Sequence, residues 1–279
     1  MAQEDLSDLG RPSTIGPDLD AFEGIWQPIA WWATHRGDAP ALSEAGRVLS
    51  YAELAARTMA VTDALRAAGV QPGDRVMIVG ENSLAMAVSI LGSARLGAWA
   101  VPVNARLSAR EIDGIRDHAG PRVGIYTIGC STDADAHGAR HGAVTFPELS
   151  DLAASVARFS DAQAPVDESD LAPGHRVAAM IYTSGTTGLP KGVMLTHDNL
   201  LFVAGRSCRS RRAAPGDRIF GVLPFSHVFG LASVFLGNMY GGAWVDLKAK
   251  FSAEEAVASI ESGLKAGTAL VGHEFHYST

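Results

Sequence analysis

The stretch Tyr182-Thr183-Ser184-Gly185-Thr186-Thr187-Gly188-Leu189-Pro190-Lys191-Gly192 decides how this chain is read. It packs four Ser/Thr hydroxyls, three glycines and one lysine between two apolar segments. Glycines let backbone N–H groups turn inward and approach an anion closely, because no Cβ stands in the way. Hydroxyls add donors, and the lysine adds a mobile positive charge. Together these residues describe a cradle for a polyphosphate.

The cradle is not the common P-loop, which places four residues between its glycines and a Ser or Thr directly after its lysine. Here two residues separate Gly185 from Gly188, and Gly192 follows Lys191. The flanks, residues 177–182 and 193–195, are short and rich in β-formers, so a strand–loop–strand arrangement fits better than strand–loop–helix. A plain Ser/Thr/Gly surface hairpin is the bland alternative. A lysine behind two spaced glycines and a run of hydroxyls argues against it.

Working outward, helix starts are legible. Ser50-x-x-Glu53, Ser108-x-x-Glu111 and Ser252-x-x-Glu255 are capping boxes that each predict a helix. The first helix should turn Leu54, Val61 and Leu65 inward and end near Gly69. β-rich runs occupy 75–79, 98–103, 122–127, 218–223, 243–247 and 268–271. Alternation of this kind predicts an α/β fold of mostly parallel sheets flanked by helices. Residues 129–175 lack such a pattern and read as a variable surface region, and residues 1–20 as a loose tail.

Composition narrows the function. A net charge of −7 argues against a nucleic-acid scaffold or a basic membrane-surface protein. The basic cluster Arg206, Arg209, Arg211 and Arg212 reads as a solvated helix end. Cys130 and Cys208 are too few for a disulfide framework or a zinc site, and they suit a cytoplasmic location. Residues 219–245 contain no Asp, Glu, Lys or Arg, yet five glycines, Pro224, His227 and Asn238 make a poor membrane helix. A buried strand, a functional loop and a buried helix explain that segment better.

Residues 182–192 resemble the signature loop of the adenylate-forming, or AMP-binding, enzymes: acyl- and aryl-CoA synthetases, nonribosomal adenylation domains and luciferases. Leu223-Pro224-Phe225-Ser226-His227-Val228-Phe229-Gly230 resembles the next motif of that family. Upstream segments resemble its N-terminal part: Leu49-Ser50-Tyr51-Ala52-Glu53-Leu54, Gly69-Val70-Gln71-Pro72-Gly73-Asp74-Arg75-Val76 and Gly97-Ala98-Trp99-Ala100-Val101-Pro102-Val103-Asn104. The resemblance runs from about Ala21 to about Gly272. It implies that residues 21–279 are part of the large adenylate-forming domain, whose second half and small C-terminal domain are expected to be missing.

The resemblance also implies a two-step reaction. A carboxylate attacks the α-phosphorus of ATP, giving an acyl-adenylate and pyrophosphate, and the thiol of coenzyme A then takes the acyl group. Thr183, Ser184, Gly185, Thr186, Thr187, Gly188 and Lys191 would bind the phosphates, with Lys191 the electrostatic partner of the outer ones. His227 would sit beside the acyl group and the adenylate as a positioning group. Its alternative is a satisfied core histidine, and Phe225, Val228 and Phe229 read equally as acyl-channel lining or as core.

Capping or surface placement suffices for His197. His273, Glu274 and His276 lack the zinc-protease spacing, so no metal site is read in the chain. Magnesium is expected to be held by the missing half. The expected partners are a small carboxylic acid (fatty or aryl), ATP and coenzyme A. An inactive nucleotide-binding remnant is the competing reading, and the 279 residues alone are expected to make no acyl-CoA.

Overall fold

Strands β1 (Pro40–Glu44) and β2 (Arg47–Ser50) form a hairpin after helix α1 (Gln27–Arg36), and helix α2 (Tyr51–Ala67) follows directly. The computed structural model describes residues 17, 21–183 and 191–265. Next come β3 (Arg75–Gly80), α3 (Leu84–Leu96), β4 (Trp99–Asn104), α4 (Ala109–Ala119) and β5 (Val123–Thr127). Then α5 (Thr132–Arg140), β6 (Val144–Thr145) and β7 (Ala154–Arg158) lead to β8 (Val177–Thr183) and β9 (Lys191–Thr196). Helix α6 (His197–Arg211), β10 (Arg218–Gly221), a π-helix (Phe229–Leu236) continuing into α7 (Gly237–Tyr240), β11 (Trp244–Leu247) and α8 (Ala253–Lys265) complete the described part.

Two sheets result. The larger has the order β6-β7-β5-β3-β4-β8-β9, with β5, β3, β4 and β8 parallel and antiparallel strands at both margins. The smaller has the order β10-β11-β1-β2 and is parallel except for the β1–β2 hairpin. The α/β expectation therefore holds, and the antiparallel margins are the addition.

The chain leaves β3 in one direction through α3 to β4, then crosses back through α4 to β5. Right-handed crossovers put those two helices on opposite faces. The packing agrees, because α3 belongs to one buried cluster, while Ile112 and Ile115 of α4 belong to the other. Helix α3 touches strands of both sheets, and every residue in it except Arg95 is buried. Each fully buried Leu, Ile, Val or Met contributes about 1.5–3 kcal/mol. Leu84, Met86, Val88, Ile90 and Leu91 thus make α3 the axis of the fold.

The capping boxes at Ser50 and Ser108 form in full. At Ser252 only half forms: Oγ accepts the Glu255 N–H at 3.3 Å, while the Glu255 carboxylate faces Lys248 at 3.4 Å. Leu54, Val61 and Leu65 are buried as expected, and Gly69 takes a left-handed φ of 86° after α2. The expected strand at 268–271, residues 273–279 and nearly all of the N-terminal tail lie outside the described residues.

Three expectations are corrected. The region 129–175 is not wholly irregular. It holds α5 and the β6–β7 pair, which adds to the large sheet through β5, with Ser131 capping α5 in a run too Ala/Asp/His-rich to show a period. Arg211 is not solvated like exposed Arg206 and Arg209. It is half-buried, with its guanidinium donating to the Ser233 carbonyl. His197 is not at the surface: it is 5% exposed, and its Nδ1 accepts the Ile25 N–H at 3.2 Å.

Burial drives the His197 imidazole from 6.5 down to about 4. The unfolded chain therefore binds a proton there before the folded protein does. His197 costs nothing above about pH 6.5, and stability should fall as the pH drops from there to about 4. The full loss is about 3 kcal/mol. His197→Asn keeps an acceptor for Ile25 but cannot titrate. Urea unfolding between pH 4 and 6.5 should show a shallower slope for the variant, and identical slopes would exclude the assignment.

Candidate active site

Strand β8 runs parallel to β4 in the Ala100–Ala179 register, so Thr183 lies level with Asn104 at the carboxyl edge of the large sheet. That edge, where the strand order reverses, is where open α/β sheets hold ligands. Strand β9 returns antiparallel to β8, and Thr183 faces Lys191 in the last pair of the ladder. The expected strand–loop–strand arrangement is present in its two arms. Ser184, Gly185, Thr186, Thr187 and Gly188 lie outside the described residues.

The arms are anchored individually. Tyr182 is half-buried, its hydroxyl hydrogen-bonds to His118 Nδ1 at 2.6 Å, and burial pushes its phenol up to about 12. Gly192 packs opposite Tyr182, where a Cβ would come within 2.6 Å of Met180 Sδ. Thr183 and Lys191, by contrast, are exposed, so both side chains are free to meet an anion.

At the same edge, loops after β3 and β4 and residues 222–226 enclose a cavity of about 470 Å³. Met86, Leu223 and Phe225 give it an apolar wall, and Glu81, Asn104 and Arg106 a polar one. Glu81 is buried; its Oε1 accepts from Arg106 Nε at 2.9 Å, and its Oε2 has no partner. Arg106 also donates to the Ala249 carbonyl at 2.8 Å. Sequence reasoning missed these residues. The available signal was a run of polar residues, Glu81-Asn82-Ser83, set between a wholly buried strand and a wholly apolar helix start.

His227 follows the cavity wall by one residue and is exposed, which overturns the core alternative. Its backbone N–H donates to the Pro224 carbonyl at 3.0 Å, and its Nδ1 accepts the Phe229 N–H at 3.3 Å. Phe225 is fully buried, stacked on Phe235 at 4.7 Å while also lining the cavity, whereas Val228 and Phe229 are exposed. Among the described residues, no hydrogen bond joins His227 to Thr183 or Lys191, and no cluster of three or more His, Cys, Asp or Glu could hold a metal ion.

The family model described as AMP-binding enzyme matches residues 29–262. The chain belongs to that family. A feruloyl-CoA synthase from Amycolatopsis sp is 32% identical over 84% of this chain and 47% of its own length. The long-chain-fatty-acid–CoA ligase FadD13 from Mycobacterium tuberculosis is 35% identical over 69% of this chain and 38% of its own. The crystal structure of ATP-bound MatB from Rhodopseudomonas palustris superposes with a TM-score of 0.66 at 28% identity, over 86% of this chain and 48% of that one. The chain spans about half the length of the curated relatives it matches.

Gly230 fixes the turn that presents His227. A Cβ there would lie 2.0 Å from the Pro224 carbonyl oxygen, and backbone cannot yield as a flexible side chain can. Gly230→Ala should cost about 1–3 kcal/mol. Gly205→Ala in α6, whose Cβ would meet nothing closer than 3.6 Å, should be neutral or gain up to about 1 kcal/mol. Urea titration compares them, and equal effects would mean that the Pro224–Gly230 approach does not constrain the turn.

Proposed function

We propose that this chain supplies the ATP-phosphate face of an acid–thiol ligase that activates a fatty or aryl acid as its adenylate and transfers it to coenzyme A. What carries the reading is the Thr183–Lys191 pair, with both side chains exposed at the carboxyl edge of the parallel strands. Family membership and CoA-ligase relatives support it.

In the first step, a carboxylate oxygen bonds to the α-phosphorus while the bond to the bridging oxygen breaks, and negative charge grows on pyrophosphate. Lys191 supplies a compact cation beside those oxygens, and Thr183 with Ser184, Thr186 and Thr187 supplies donors in advance of the charge. Gly185 and Gly188 let the backbone come close. His227, with Nδ1 held by Phe229, offers Nε2–H as a donor to the acyl-adenylate. In the second step the thiol sulfur bonds to the acyl carbon and AMP leaves. No helix among the described residues is long and apolar enough to cross a membrane. The free thiols Cys130 and Cys208 support a cytoplasmic location.

Calorimetric titration of the chain with pyrophosphate and with ATP–magnesium tests the phosphate face. Weak binding is expected, and Lys191→Ala should weaken both ligands about tenfold or more, the worth of a charge-assisted hydrogen bond. His227→Ala should leave pyrophosphate binding unchanged. A Lys191→Ala chain that binds both ligands as the wild type does would overturn the assignment.

A further inference from the structure

Asn82 has no part in the proposed chemistry, yet it is the most fully bonded side chain at the active edge. It is 3% exposed and follows the end of β3 by two residues. Its Nδ2 donates to the Gly221 carbonyl at 3.0 Å and to the Leu223 carbonyl at 2.9 Å. Its Oδ1 accepts the Phe225 N–H at 2.9 Å. One carboxamide therefore pairs with every second residue of the segment that leaves β10, taking over where that strand ends at Gly221. Only a side chain with donors on one atom and an acceptor on the other can do this, which Asp, Ser and Leu cannot.

The two ends of this bridge belong to different sheets. Asn82 extends from β3, whose sheet carries β8, β9 and Lys191, while residues 221–225 extend from β10 of the smaller sheet and run into His227. We propose that Asn82 is a positioning residue that sets the His227 turn against the phosphate-loop edge of the large sheet. The proposal rests on the reading that His227 and Lys191 serve one acyl-adenylate. Phe225 transmits the constraint: its N–H is held by Asn82, its ring is fixed on Phe235, and the turn closed by Pro224 and His227 starts beside it.

The test compares Asn82→Ala and Asn82→Asp with Thr62→Val in the 279-residue protein. Thr62 is a fully buried control, with its hydroxyl donating to the Thr58 and Gly92 carbonyls remote from the turn. Amide exchange and the ring-nitrogen spectrum of His227 are recorded for each. Both Asn82 variants should speed exchange at Phe229 by about tenfold, and the alanine variant, which also removes the acceptor, should do the same at Phe225. They should also replace the single His227 tautomer with a mixture, leaving β3 and β4 amides slow. Thr62→Val, even with an equal fall in Tm, should leave His227 unchanged. If the alanine variant does not fold, the near-isosteric aspartate, which loses both donors, carries the Phe229 and His227 readouts. An unchanged His227 spectrum in the folded Asn82 variants, or an equal change in Thr62→Val, would overturn the proposal. None of these signals involves nucleotide, so failure of the Lys191 assignment and failure of the Asn82 link are told apart.

Discussion

Helix α3 is buried between two sheets, and a helix start in that setting must find partners for its N–H groups without water. The helix's own N-cap serine and a side chain from a strand of the other sheet satisfy two of them. Ser83 Oγ accepts the Met86 N–H at 3.2 Å, and Glu44 Oε2, from the end of β1, accepts the Leu84 N–H at 2.8 Å. Burial raises the Glu44 carboxyl, and the Leu84 N–H, Cys130 and Arg47 oppose that shift. A carboxylate from the smaller sheet thus caps the helix that follows the central strand of the larger one. Once β1 is fixed to α3, β11 and β10 are fixed through the parallel ladder, and with them the segment that ends in His227.

That arrangement explains why the proposed site lies at a seam. Thr183 and Lys191, the proposed phosphate arms, belong to the large sheet and His227 to the extension of the small one, so neither sheet alone holds both. Polar bridges cross the seam where an apolar contact would fix distance but not register. Asn82 reaches three backbone groups, and Arg106 reaches the Ala249 carbonyl while neutralising Glu81. Leaving a buried amide of this kind unpaired costs about 1–3 kcal/mol, so the bridge also selects one alignment over its neighbours.

Much of this was legible in the sequence because local chemistry determined it. Capping boxes announced α2 and α4, the β-branched run 75–79 announced the central strand, and the Gly/Ser/Thr/Lys stretch announced paired strands on either side. Other features depend on what lies nearby in space. His197 follows its Thr196 cap as any surface histidine could, and only Ile25, 172 positions away, makes it a buried acceptor. Strand β7 has two alanines and an arginine and becomes a strand because β5 offers a free edge. Asn82 looks like one of many polar residues before a helix; its partners lie about 140 positions on.

On the proposed reading, phosphate is held at the carboxyl edge, between β8 and β9, and presented toward the turn bearing His227. The most direct test is a two-dimensional amide NMR titration of the chain with ATP–magnesium. Shifts should concentrate at residues 182–192 and 225–230, with none at the groove of about 610 Å³ lined by Trp26, Arg95, Glu168 and Arg176 at the opposite end of the sheet. Shifts centred on that groove, with residues 182–192 unchanged, would contradict it.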